Sequence, residues 1–341
     1  MSPNKKLGYI PGLDGLRAIA VGLVMLGHSN IYIGQNGGIG VDVFFALSGF
    51  LITTILLEEK DEYGEINLKY FYSRRFLRLF PALAFLLIVT SFLVFIFWKS
   101  NSKIYIEEFI ASFFYIYNIS WYWGLAEEPF ILYHMWSLAV EEQYYIWWPL
   151  LLIIVHRFLN EKQFSIFLLI VSILIFCFRF YFIKFLFFNS IFMDSIFFGC
   201  SLALLRRQFQ LKFLVNNYLL FFSTFLILFF SIVNLDFGYL LLRSGYRGVF
   251  GILSCIIIIN IVSNRKNLFR YSIFVFFGKL SYSLYLWHLV IFVLFRKITL
   301  LADYQHYLLK IIVSILMAVI SYFTVELYFL KISKKYFSVL R

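Results

Sequence analysis

The chain has 341 residues, of which 62% are hydrophobic and only 14% charged, with a net charge of +12 and a mean hydropathy of +0.86. So little charge cannot clothe a soluble domain of this size, and apolar runs of about 20 residues recur from end to end, which predicts an all-α, polytopic transmembrane protein. The runs are too long and too uniformly apolar for barrel strands, and the basic residues gather at loop ends, as the positive-inside rule requires and nucleic-acid binding does not.

About ten spanning helices are expected, at 13–32, 38–57, 79–98, 135–155, 164–183, 190–206, 213–233, 247–263, 274–295 and 308–330. The chain passes straight into the first with no small-residue cleavage site, so no signal peptide is expected. That span reads LDGLRAIAVGLVMLGH, with Asp14 and Arg17 at its mouth and His28 further along. Arg17 and His28 are eleven residues apart, almost three helical turns, which puts both on one face roughly 16 Å apart along the axis. Ionisable residues in such a segment are costly and are retained for function.

The second span opens GGIGVDVFFALSGFLIT. Ser48 and Gly49 suit close helix packing as well as a functional motif, whereas Asp42 calls for a function or a cation partner. The third is entered through RRFLRLFP, with Pro81 read as part of a first helical turn. Arg74, Arg75 and Arg78 are either a positive-inside cluster or a clamp for a polyanionic ligand, since guanidinium groups bind phosphate oxygens bidentately. The apolar stretch 109–123 is read as re-entrant or interfacial. With both ends of the chain inside, that choice leaves 19 basic residues on the cytoplasmic side and 9 outside, setting aside Arg17 and Lys279, and an eleventh span would spoil the bias.

The fourth span carries HMWSLAVEEQYYIWWP, with Glu141 and Glu142 inside an apolar helix. Counting rise puts Glu141 roughly 10 Å below the outer surface and His28 roughly 18 Å above the inner one, so both fall in the outer half of a core about 30 Å thick. The rival reading pairs one glutamate with an arginine such as Arg179 or Arg247. In GKLSYSLYLWHLVIF, His288 reads either as a hydrogen-bonding residue of a helix interface or as a site residue, and so does His134; His156 and His306 stand at loop edges. Asp194 and Glu326 are further carboxylates in apolar spans that need partners. Cys177, Cys200 and Cys255 lie in apolar segments and suggest neither disulfides nor a metal site.

A histidine beside a carboxylate is a general base whose charged form is stabilised. Arginines half a helix away suit a donor with phosphates at one end and a reactive group on a long arm, the shape of an acyl-coenzyme A. LDGLRAIAVGLVMLGH, GVDVFFALSGFLIT, RRFLRLFP, WSLAVEEQYY and SYSLYLWH, in this order, resemble the membrane acyltransferase family three, which includes O-acetyltransferases of O-antigen (lipopolysaccharide), exopolysaccharide and peptidoglycan. The resemblance runs from Gly8 to about Leu330. It implies a ten-helix membrane domain at 8–330 followed by a basic cytoplasmic tail at 331–341, in a bacterial inner membrane with both termini cytoplasmic. It implies acyl-CoA, with acetyl the expected acyl group, as co-substrate, no further cofactor, no metal and no nucleic acid. A hydroxyl of a surface or lipid-linked polysaccharide is the acceptor.

By that resemblance His28 is the base, or a transient acyl carrier, and Glu141 orients it, with Glu142 as the alternative. Arg17, Arg74, Arg75 and Arg78 bind the donor, and Asp14, Asp42, Ser48, Glu142, His288 and Glu326 are secondary candidates. The family's Glu-x-Pro ending is Glu326-Leu327-Tyr328 here, so the proline is missing, and no esterase module is expected within these 341 residues. The rival classes are a transporter or flippase of glycan intermediates, which would show repeats and Gly/Pro-broken helices, and a non-catalytic membrane scaffold.

Overall fold

A computed structural model describes residues 6–29, 36–124, 130–181, 193–233, 247–264, 267–298 and 303–337. Among them every regular element is helical. Lys5, Lys184, Arg243, Arg265, Lys266 and Arg341, used above to count charge, lie outside the described residues.

The chain divides into two compact units, Met1–Ile66 with Trp148–Lys279, and Asn67–Trp147 with Leu280–Arg341. The first holds α1 (Pro11–Gly27), α2 (Ile39–Tyr63), the end of α5 (Met135–Val155), α6 (Glu161–Tyr181), α7 (Asp194–Gln208), α8 (Asn217–Ile232), α9 (Arg247–Ser263) and α10 (Ser272–Lys279). Its core packs Leu16, Ala20 and Leu23 of α1 with Val43, Leu47 and Phe50 of α2 and Ile257, Ile258 and Ile261 of α9. Glycines let these helices approach closely. A Cβ on Gly49 of α2 would fall 2.0 Å from the Ile196 carbonyl oxygen, and one on Gly199 of α7 would fall 2.1 Å from that of Ala46.

The second unit holds α3 (Leu68–Phe97), α4 (Ser102–Phe113), most of α5, α11 (Ser281–Ile298), α12 (Asp303–Ser321) and α13 (Leu327–Phe337), with a single π-helical turn, Tyr322–Glu326, between the last two. Leu83, Leu86, Leu87, Ala111, Leu132, Leu138, Trp287 and Val290 form its core.

The third helix starts earlier than expected. Asn67 caps it, its side chain accepting the Tyr70 N–H at 3.0 Å, so Pro81 lies inside a 30-residue helix rather than in its first turn. Hydropathy marks where the helix becomes apolar, not where its backbone hydrogen bonds begin, and those continue into the basic stretch.

Among the described residues, five helices are long and apolar enough to cross a membrane: Ile39–Tyr63, Leu68–Phe97, Met135–Val155, Glu161–Phe178 and His306–Phe337. A sixth is added when Ser272–Lys279 and Ser281–Arg296, separated by a short break, count as one span. The runs expected as spans at 13–32, 190–206, 213–233 and 247–263 form helices of 17, 15, 16 and 17 residues. At 1.5 Å per residue these reach roughly 23–26 Å, short of a core of about 30 Å. The count of ten therefore does not follow from helix length. Segment 109–123 is the end of α4, an irregular stretch with Tyr115 at φ 54, and a 3-10 turn at Ser120–Trp123.

Candidate active site

In the first unit, Asp14 in the opening turn of α1 accepts the Arg17 Nη1 at 2.9 Å and the Tyr9 hydroxyl at 2.9 Å. The i,i+3 spacing makes this pair local, and a carboxylate suits the positive end of the helix macrodipole. His28 is not in the helix interior. It is the half-buried C-cap residue of α1, following Gly27. Its Nδ1 stands 3.0 Å from the Val24 carbonyl oxygen. A carbonyl can only accept, so Nδ1 carries the proton and Nε2 is the basic nitrogen of the neutral ring. The helix bearing this residue is tightly seated, since a Cβ on Gly278 would fall 1.9 Å from the Asp14 carbonyl oxygen.

Asp42 finds a cation. Arg247 Nε donates to its Oδ2 at 3.0 Å and the Ser195 hydroxyl donates to its Oδ1 at 3.2 Å. The pair is buried, with 3% of the Asp42 side chain and 14% of the Arg247 side chain exposed. Arg247 is thereby paired within its own unit with an aspartate. Ser48 is buried beside Gly49 at the α2–α7 contact, and Asp194 is buried at the start of α7.

In the second unit the three arginines point to different partners. Arg74 Nη1 donates to the Phe337 carbonyl at 3.1 Å, placing a cation at the C-terminal end of α13. Arg75 lies over the Tyr145 ring, 4.2 Å from its centroid. Arg78 is exposed and acts electrostatically on Glu326. The Tyr145 hydroxyl donates to Glu141, one turn earlier on α5. Glu142 has one carboxylate oxygen buried with no hydrogen-bond partner among the described residues, and the charges acting on it are those of Glu141 and Arg75. Ser283 donates to Glu326, and Tyr282 donates to the Leu79 carbonyl at 2.8 Å. Tyr115 and Tyr282 bring their hydroxyl groups to the same cluster. A π-helical turn, Tyr322–Glu326, ends at Glu326, and the following Leu327 and Tyr328 continue as α-helix.

Beside this cluster, His288 and His134 are both buried, ring to ring at 5.1 Å. His288 Nδ1 bonds the Tyr285 carbonyl at 2.7 Å, and His134 Nε2 bonds that of Leu286 at 3.0 Å. Tyr285 closes the network, its hydroxyl reaching the His134 carbonyl at 2.5 Å and Ser137 at 2.6 Å. Asp14, Arg17, His28, Asp42 and Ser48 thus belong to one unit, and Arg74, Arg75, Arg78, Glu141, Glu142, His288 and Glu326 to the other.

Reading the sequence alone missed Glu108, Asn118, Gln143, Tyr145 and Tyr282. Asn118 and Gln143 exchange two amide hydrogen bonds, at 3.0 and 2.9 Å, and Gln143 also donates to the Tyr115 carbonyl at 2.9 Å. This ties the 114–118 stretch to α5 next to the two glutamates. The one signal was position, Gln143 directly after Glu141-Glu142. Among the described residues no group of three His, Cys, Asp or Glu could hold a metal ion, and Cys177, Cys200 and Cys255 form no disulfide.

The model of an acyltransferase domain matches residues 10–326. A relative named "Putative O-acetyltransferase" in Staphylococcus aureus strain COL is 33% identical over 319 residues, 84% of this chain and 51% of its own length. The O-acetyltransferase OatA of Staphylococcus aureus strain NCTC 8325 is 32% identical over 354 residues, 93% of this chain and 57% of its own. The chain spans about half the length of these relatives. No solved structure matches it.

Proposed function

The chain belongs to this acyltransferase family, and from that premise we propose that it is a membrane O-acetyltransferase that moves an acetyl group from acetyl-CoA to a hydroxyl of a surface or lipid-linked polysaccharide. The observation that carries the reading is His28 at the end of α1, its Nδ1 engaged by the Val24 carbonyl. Nε2 is then the nitrogen that takes the acceptor proton. The hydroxyl oxygen attacks the thioester carbonyl carbon, the carbon–sulfur bond breaks, and the departing thiolate is protonated by the imidazolium. The carbonyl groups of the last turn of α1 present the negative end of the macrodipole to a ring that becomes positive during transfer.

Guanidinium groups suit the donor's phosphates. Arg17 is assigned to them from the motif order, as are Arg74, Arg75 and Arg78, with Arg78 the exposed one. Glu141, or Glu142 beside it, is assigned to the charge on His28 from motif order alone. The membrane is a bacterial inner membrane, with both termini on the cytoplasmic side.

The test is the mass of the surface glycan from cells expressing wild type or His28→Ala, before and after mild alkali. An alkali-labile acetyl increment present with wild type and absent with His28→Ala, at equal membrane abundance, is the expected result. An increment that persists in the variant overturns the role of His28. Its absence in both overturns the acceptor class.

A further inference from the structure

The end of α1 that presents His28 is held from outside the helix. The turn opening α2 lies directly on it: a Cβ on Gly37 would fall 1.9 Å from the Leu23 carbonyl oxygen and 2.6 Å from the Gly27 nitrogen, and one on Gly40 would fall 2.2 Å from the Ala20 carbonyl oxygen. Backbones packed too closely to admit a Cβ leave little room to move apart independently. A displacement of residues 36–40 displaces the last turns of α1, including the Val24 carbonyl that orients the His28 ring.

That turn is also fastened by side chains, Arg247 foremost. Arg247, first residue of α9, donates Nη2 to the Gly38 carbonyl at 3.0 Å and Nε to Asp42 Oδ2 at 3.0 Å. One guanidinium edge thereby grips both the turn and the first turn of α2. Ser195 of α7 holds the other Asp42 oxygen at 3.2 Å, and Asn36 donates to the Phe230 carbonyl at 3.2 Å, so neighbouring helices anchor the same point. A guanidinium is a rigid planar fork that serves two acceptors at once, whereas an ammonium is a point charge.

We propose that Arg247, acting through Asp42 and Gly38, is a positioning residue that fixes the orientation of the His28 imidazole. The proposal deepens the reading of His28 as the base, and its first test does not depend on that reading.

The test uses the full chain in detergent micelles and follows modification of each histidine by diethyl pyrocarbonate, read by peptide mass spectrometry. The variant is the neutral pair Asp42→Asn with Arg247→Gln, which removes the fork without orphaning a buried charge. The expected result is a rise of roughly tenfold or more in the rate of His28 modification, the change that losing one hydrogen bond to a charged group produces. His156, in the same unit but at the end of α2 that carries Lys60 rather than at its start, keeps its wild-type rate, and the unfolding midpoint stays close to wild type. An unchanged His28 rate overturns the proposal, and so does a parallel rise at His156, which signals general loosening. Should the pair not accumulate as folded protein, Arg247→Lys keeps the charge beside Asp42 and loses the fork to Gly38, and it is read by the same criteria. In the transfer assay the variant lowers kcat with the donor KM unchanged. A labelling change in a protein that transfers nothing even as wild type retains the positioning role and sinks the proposed function.

Discussion

Glu108 is completely buried, and its two oxygens accept the Tyr117 hydroxyl at 2.6 Å and the backbone N–H groups of Phe130, Ile131 and Leu132 at 2.8, 2.9 and 2.9 Å. Burial pushes the carboxyl up from the ordinary carboxylate range, and these donors pull it back. Glu108→Gln replaces one acceptor oxygen with an amide that can only donate, against N–H groups that need an acceptor. A loss of roughly 2–3 kcal/mol in stability is expected, read as the unfolding midpoint in detergent; an unchanged midpoint would mean that these bonds are made in the unfolded chain as well. His156 gives a pH prediction. Burial, and then the charge of Lys60, hold its imidazole below the usual histidine range, although its bond to the Leu152 carbonyl pulls upward. The folded state therefore keeps the ring neutral where the unfolded chain binds a proton, and stability falls as pH drops from about 6.5 toward the depressed folded value. His156→Gln should flatten the midpoint-against-pH curve in that window. Asp14 and Arg17 were legible in the sequence as neighbours at the mouth of one helix, though not as a pair, and the pair joins residues only three apart. Glu108 was not, since its partners lie up to 24 positions away with no periodicity to announce them.

At the scale of elements, glycines in one helix have opposite meanings. In α1, a Cβ on Gly15 would fall 1.9 Å from the Phe269 carbonyl oxygen, while one on Gly22 meets nothing within 4 Å. Gly15→Ala must push the 268–270 turn away and should cost at the upper end of roughly 1–3 kcal/mol. Gly22→Ala only removes backbone freedom from a helix and should stabilise by roughly 0.5–1 kcal/mol. Midpoints of the two variants in one detergent that moved in the same direction would contradict the packing described here. Composition announced that these helices exist and that small residues fall inside them. Which small residue faces a backbone is a property of the assembled unit, and hydropathy is blind to it. The same blindness placed Pro81 in a first turn: a capping asparagine, Asn67, sets the start of α3 well before the chain turns apolar.

For the whole molecule, the sidedness of the first unit can be read from its ion pairs. Arg207 at the end of α7 pairs with Asp61 near the end of α2 at 2.8 Å and with Glu161 at the start of α6 at 3.0 Å. These three ends share one side. The starts of α2, α7 and α9 share the opposite end through Asp42, Ser195 and Arg247. The positive-inside count had put Lys60, Lys162, Arg206 and Arg207 together in the cytoplasm without any knowledge of these pairs. The helical class and this grouping of ends were thus legible in the sequence. The number of crossings was not, because helices such as Asn217–Ile232 and Arg247–Ser263 are apolar like spans yet shorter than a bilayer core. Cysteine labelling decides the point. In a chain with Cys177, Cys200 and Cys255 replaced by alanine, single cysteines at the exposed positions Lys103 and Lys162 are treated with a membrane-impermeant maleimide on intact spheroplasts. With the orientation we propose, the cysteine at 103 is labelled and the one at 162 reacts only after lysis. The two positions are separated by α5 and by the 109–123 stretch, so the outcome counts crossings between them. If both label in intact spheroplasts, the stretch crosses the membrane and the later loops invert. If only 162 labels, the stretch stays on one side and the whole orientation is reversed, which would put Arg206 and Arg207 outside, against the charge rule that fixed them.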